Sequence, residues 1–195
     1  MIVFDEAKHL YTDNGLDVPS VTKVLQDAGM IDFSNVPAHI LEASSKFGTA
    51  VHKACELFDN DDLDESSLDV HIKPYLDAWF KFKKDTCFMV EAVEEIIYSK
   101  KFRFAGKLDR RGILEKRAVV DLKTGSTLLP STAIQTGAYE GGYNEDKKRD
   151  EQIKRRFSVL LKPDGNYKIQ EYKNKTDFSV FLSALTIYNW KRGNK

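Results

Sequence analysis

The chain has 195 residues, with 30 basic and 30 acidic side chains, so its formal net charge is zero. Hydrophobic residues make up 42% and charged residues 31%, the balance of an ordinary globular protein. Two cysteines, Cys55 and Cys87, supply neither a disulfide framework nor a four-cysteine cluster, and no apolar run approaches the ~20 residues of a membrane span.

In chain order, residues 1–18 read as a hairpin turning at Asp13-Asn14-Gly15. Ser20 has the place of an N-cap, and Val21, Val24 and Leu25 give helical spacing as far as Gly29. Residues 36–46 and 47–58 read as two helical pieces broken near Lys46-Phe47-Gly48, the acidic stretch 59–69 as a loop, and 69–85 as a helix in which Pro74 either sits in the first turn or makes a kink. The period then changes from helical to alternating. Residues 93–99 and 101–108 read as strands, and Asp109 ends the second, before a short connection containing Gly112. Residues 118–123 are an apolar strand with a charged end, and 131–143 return to helix. Residues 155–173 read as a hairpin turning at Pro163-Asp164-Gly165-Asn166, and 177–191 as an amphipathic helix capped by Thr176 or Asp177. This order predicts one α/β (α+β) domain over 1–195, a central mixed sheet flanked by helices, with 1–46 as an N-terminal hairpin and helical region and 47–195 as the core.

Side chains two apart on a strand share a face, so Asp121 and Lys123 point the same way at the end of an apolar strand. Alone, Asp-x-Lys is common and reads most simply as a surface ion pair of little energetic value. Asp109 shifts that balance. If its strand pairs antiparallel with 118–123, two carboxylates approach each other, and that arrangement needs a compensating cation. A hard divalent ion favours one or two carboxylates plus water and phosphate oxygens. On a helix through 48–56, Gly48, His52 and Glu56 recur every four residues beside the apolar stripe of Val51, Ala54 and Cys55. An imidazole among the ligands would tilt preference toward Mn²⁺. Gln135 and Tyr139 are also four apart and share a helix face. Each of these features also has a bland structural explanation; their order along the chain is what carries weight. Two basic clusters, within 100–117 and 147–156, are candidates to track a phosphate backbone, although charge runs are usually just solvated surface.

The ordered set Gly48-x3-His52-x3-Glu56, Gly106-x2-Asp109, Asp121-Leu122-Lys123-Thr124-Gly125 and Gln135-x3-Tyr139 resembles the PD-(D/E)xK nuclease superfamily, most of all its RecB-type branch, which includes viral alkaline exonucleases of the lambda type. The opening Val18-Pro19-Ser20-Val21-Thr22 is similar to the N-terminal region of phage-encoded members, so the resemblance spans roughly 18–140. It implies a restriction-endonuclease-like core and a Mg²⁺- or Mn²⁺-dependent nuclease using one or two ions. His52, Asp109, Asp121 and the Leu122 carbonyl would be metal ligands. Lys123 would orient or activate the attacking water, Glu56 would be a secondary metal group, and Gln135 and Tyr139 would support the lysine and the DNA phosphates. Glu94 or Glu95 would add an acidic group on the strand before Asp109. Leu108 stands where the superfamily name places a proline, a departure common in RecB-like members, and two cysteines cannot build the iron–sulfur cluster of some relatives.

The substrate implied is DNA, as duplex ends or a single strand, processed by an exonuclease in phage or bacterial recombination and repair. A single-strand annealing or helicase partner and an oligomeric assembly fit such relatives. A structure-specific endonuclease, or a non-catalytic nucleic-acid-binding module on the same fold, is the alternative. Free thiols and an N-terminus without a basic-then-apolar signal lead to the expectation of a cytoplasmic location, the host cytoplasm if phage-encoded, with no membrane contact.

Overall fold

A computed structural model describes residues 1–6 and 8–193. Three short strands, β1 (Ile2–Asp5), β2 (Leu10–Asp13) and β3 (Leu16–Val18), form an antiparallel sheet in the order β1-β2-β3, one strand more than the expected hairpin. The β2–β3 turn is the expected one. Asn14 and Gly15 both have positive φ, the conformation a two-residue hairpin turn needs. Helix α1 (Val21–Asp27) follows at once, and the Ser20 side chain accepts a hydrogen bond from the Lys23 N–H as its N-cap.

Helix α2 (Ala38–Asp59) is continuous, so the break expected near Gly48 does not occur. A Cβ on Gly48 would stand 3.3 Å from Thr124 Oγ1, so the glycine serves close packing rather than a kink. The acidic stretch holds a 3₁₀ turn (Glu65–Ser67) within the loop and leads to α3 (Lys73–Thr86), where Pro74 takes the first of its two expected places, the first turn.

The second sheet has five strands in the order β4-β5-β6-β7-β8: β4 (Met89–Ser99), β5 (Phe104–Leu114), β6 (Lys116–Lys123), β7 (Arg155–Leu161) and β8 (Tyr167–Glu171). All neighbours pair antiparallel except β6 and β7, which are parallel and joined through α4 (Ser131–Asn144). Helix α5 (Asp177–Gly193) closes the described chain. The expected mixed sheet flanked by helices is therefore present. One boundary differs in a way that matters: β5 runs on past Asp109 to Leu114, so Gly112 lies inside it. The turn falls instead at Glu115, which has φ +60°.

The sheet separates two apolar layers. Val119, Leu108, Ile97 and Phe104 pack with α1, α4 and α5 on one side. Val120, Leu122, Phe157 and Val159 pack with α2 and α3 on the other. Alternation along β6 assigns Val119 to one layer and Val120 and Leu122 to the other. The small N-terminal sheet is tied on through Tyr11, Val18 and Ala105 and through the Ala105 N–H to the Pro19 carbonyl. Among the described residues no helix is long and apolar enough to cross a membrane.

Candidate metal centre

Strand register brings the acidic residues together. In the β4–β5 ladder Val93 faces Arg110 and Glu95 faces Leu108, so Glu94 stands opposite Asp109. The β5–β6 ladder ends at Arg110 and Val120, and one step further along the two strands are Asp109 and Asp121. Glu94 has φ +50°, and β4 shifts register between Val90 and Ala92. Irregularities of this kind re-aim side chains. Where the β5–β6 ladder stops, the Leu122 N–H donates instead to Asp109 Oδ2 at 2.6 Å.

Helix α2 lies across this end of β6, and Gly48 sets how closely it approaches. One turn further on, His52 places Nε2 3.1 Å from the Leu122 carbonyl oxygen and Nδ1 3.5 Å from Asp109 Oδ1. Both ring nitrogens thus face acceptors, an arrangement satisfied by the doubly protonated imidazolium. Burial lowers the His52 pKa, but the adjacent Asp109 charge and hydrogen bond outweigh it, and the net shift is upward. Burial pushes Asp109 up, yet His52, Lys123 and the Leu122 N–H together hold its carboxyl well below the usual range.

The donors suit a divalent ion. Ligand atoms of His52, Glu94 and Asp109 all lie within 4.8 Å of one another. An octahedral ion at ~2.1 Å from its ligands spaces them about 3.0 Å apart in cis and about 4.2 Å in trans. These residues form part of a cleft of about 460 Å³ that Gly106, Lys107 and Tyr139 also line.

Asp121 stands beside this cluster and is not one of its three members. Its carboxylate, 2% exposed, accepts from Lys123 Nζ at 2.8–2.9 Å and from the Ser158 hydroxyl at 3.2 Å. Burial pushes the Asp121 pKa up; Lys123 opposes that, the Asp109 charge adds to it, and the net shift is upward. Burial acts against the Lys123 ammonium, but Asp121 and Asp109 outweigh it and raise its pKa, so the amine stays protonated. Ser158 faces Asp121 directly across the parallel β6–β7 ladder.

Gln135 and Tyr139 share a face of α4 as expected, with Gln135 Nε2 donating to the Tyr139 hydroxyl at 2.9 Å. Tyr139 packs on Gly106, where an added Cβ would meet its ring at 2.7 Å. Burial and the Asp121 and Asp109 charges keep the phenol protonated far above its ordinary range. Gln135 is not bonded to Lys123. Glu56 pairs with Lys53 at 2.8 Å and does not line the cleft, so the structure does not bring it to the cluster. Of the Glu94/Glu95 alternative, Glu94 faces the cleft, while Glu95 is taken by Arg111.

Sequence reasoning missed the layer beneath. Arg110, counted there among phosphate-tracking residues, is fully buried. Its Nε donates to Asp59 Oδ2 at 2.6 Å, and its Nη1 donates to the Asp109 carbonyl at 2.6 Å and reaches Glu94 at 3.4 Å. Asp59, also with a fully buried side chain, accepts in addition from Trp79 Nε1 and from Lys83 Nζ at 2.6 Å. Other cations of the two basic clusters are likewise paired: Arg111 and Arg117 with Glu91, Arg155 with Glu171, and Arg156 with Glu140 and Asp177.

No protein-family model and no curated protein sequence matches the chain. Among solved structures it is similar to a protein of Eubacterium rectale provisionally named an exonuclease, with a TM-score of 0.53 and 11% identity, over 75% of this chain. The chain spans only 65% of that protein's length. An alkaline exonuclease from Laribacter hongkongensis aligns over 90% of this chain and 92% of its own, with 11% identity and a TM-score of 0.42. The fold is thus shared with the Eubacterium rectale protein, and its helix-flanked mixed sheet is the architecture that the PD-(D/E)xK resemblance implied.

Proposed function

We propose that the chain is a divalent-metal-dependent nuclease acting on DNA. The observation that carries this reading is the convergence of His52, Glu94 and Asp109 in one cleft, with the Leu122 carbonyl against the His52 ring and an Asp121–Lys123 pair beside them. Those four groups would hold the cation, with Asp121 able to serve as a further ligand once released from Lys123. Bound there, Mg²⁺ or Mn²⁺ supplies a polarised phosphoryl oxygen and a water of lowered pKa for phosphodiester hydrolysis.

The chain's own groups do the rest. Lys123, kept protonated by two carboxylates, acts as a fixed cation that orients water and offsets charge on the phosphate, rather than as a base. Asp121 and Ser158 fix the direction of that ammonium. Tyr139, oriented by Gln135 and seated on Gly106, offers a neutral hydroxyl at the cleft wall for a phosphate oxygen. The finer reading is an exonuclease working from DNA ends in phage or bacterial recombination, as one nuclease domain in the cytoplasm. It rests on the motif resemblance and accords with the exonuclease name of the fold neighbour.

The test is incubation with end-labelled linear duplex, single-stranded DNA and closed circular duplex, each with Mg²⁺, Mn²⁺ or chelator. The expected result is metal-dependent release of label from linear substrates, with the circle spared. Cleavage of the circle would replace the exonuclease with an endonuclease. Absence of cleavage of every substrate in either metal would overturn the nuclease reading.

A further inference from the structure

Ion pairing removes many of the obvious basic residues from a role in binding phosphate, and this makes the remaining ones informative. Two clefts open on the β8 side of the sheet and share Tyr172 as a common wall. The first, of about 500 Å³, has Lys162, Lys168 and Gln170 on one side and the loop Leu128-Leu129-Pro130 on the other, and no acidic residue lines it. The second, of about 420 Å³, contains three glutamates, Glu115, Glu140 and Glu171. All three are engaged by Arg155, Arg156 or Lys173, which leaves Lys116, Lys154 and Lys175 without an ion-pair partner among the described residues.

The first cleft continues from the candidate metal centre. Lys123 pairs with Leu160 across β6–β7, and Leu160 pairs with Lys168 across β7–β8. Asp121 continues in the same way through Ser158 to Gln170. Lys168 is therefore two strand spacings from Lys123, about 10 Å, which is roughly three phosphates of a stacked strand at ~3.4 Å rise per nucleotide. An array of unpaired ammonium groups facing an apolar loop matches the two chemistries of a nucleic-acid strand, phosphates on one side and sugars and bases on the other.

We propose that this face is the path of the DNA strand beyond the cleavage site. The strand runs from Lys123 over Leu160 to Lys168, with Lys162 beside it, and then along β8 past Gln170 and Tyr172 toward Lys154, Lys175 and Lys116. The inference rests on the nuclease reading for where the strand begins, but its test does not require cleavage.

Binding of a fluorescein-labelled single-stranded DNA 20-mer is followed by anisotropy over a salt series, without divalent metal, for three proteins. These are wild type, Lys162→Gln/Lys168→Gln, and a Lys148→Gln/Arg149→Gln control from the 147–156 cluster. Neutralising two phosphate contacts lowers the slope of log K against log salt by about 1.4, at ~0.7 per contact on a single strand. The expected result is that loss in Lys162→Gln/Lys168→Gln at unchanged melting temperature, with the control like wild type. An unchanged slope in Lys162→Gln/Lys168→Gln, a loss in the control alone, or no DNA binding by wild type would each overturn the path. If wild type binds with the predicted slopes but no metal supports cleavage, the path stands and the nuclease reading falls. If cleavage is metal-dependent but the slopes do not move, the reverse holds.

Discussion

Replacing Asp59 with alanine should damage the protein far more than its place in an acidic run suggests. Asp59 is the buried counter-ion of Arg110, and both side chains are fully excluded from solvent. It also accepts from Trp79 and Lys83. Without it, Arg110 keeps as polar partners only the Asp109 carbonyl and a 3.4 Å approach to Glu94, besides the Trp79 ring 5.8 Å away, and Arg110 Nη2 already lacks a hydrogen-bond partner. Breaking a buried pair from one side costs about 3–5 kcal/mol, because the remaining charge is left uncompensated. For a chain of this length each kcal/mol lowers Tm by about 2–4 °C, so a fall of roughly 6–20 °C follows. Urea denaturation read by tryptophan fluorescence measures the loss directly, since Trp79 donates to the deleted carboxylate. Asp77→Ala, which breaks an exposed pair with Lys73, is the internal control and should leave the curve in place. Equal curves for the two variants would refute the argument that Arg110 and Asp59 form the buried support of the site.

Gly106→Ala would push a methyl into the Tyr139 ring at 2.7 Å and toward Val21 at 3.3 Å. It should cost about 1–3 kcal/mol by overpacking, and DNA cleavage should fall by more than that loss of folded protein explains, as measured by initial rates at matched folded fraction. Lys123→Met removes the fixed cation and frees the Asp121 carboxylate; cleavage should fall by about 100-fold or more while Mn²⁺ binding, measured by calorimetry, persists. His52 should titrate above 6.5 in the metal-free protein by NMR, and its pKa should drop in Asp109→Asn. Because the folded pKa is raised, the stabilisation from the His52–Asp109 pair is fully present below about 6.5 and is lost as pH rises through the folded value. Mn²⁺ must displace that proton, so its affinity should climb about tenfold per pH unit below the folded pKa of His52 and level off above it. Affinity independent of pH would argue against ligation by His52.

How much of this the sequence disclosed depended on the range of the interaction concerned. Period and turn chemistry are local, so the order of elements from α3 onward and the Asn14-Gly15 turn were legible, whereas the third strand of the N-terminal sheet and the continuity of α2 were not. Gly112 was not. Asp-Arg-Arg-Gly has the composition of a turn, yet it is strand because a side chain at Gly112 would meet the Met89 carbonyl at 2.1 Å and the Phe88 ring, residues more than twenty positions away. Gly48 misled for the same reason, its constraint being Thr124. His52, Asp109, Asp121 and Lys123 were picked out by their order along the chain. The choice of Glu94 over Glu95 depended on the β4–β5 register, and the engagement of Glu56 on its ion pair with Lys53. The basic clusters misled most, because Glu91, Glu171 and Asp177, which neutralise their arginines, lie outside both segments.

The claim on which the rest depends is that Asp109 and its neighbours form a metal site that cuts DNA. Calorimetric titration with Mn²⁺, paired with cleavage of end-labelled linear duplex, compares wild type with Asp109→Asn at equal secondary-structure content. Stoichiometric Mn²⁺ binding and metal-dependent cleavage in wild type, both lost in Asp109→Asn, is the predicted result. Cleavage by Asp109→Asn at the wild-type rate would contradict it.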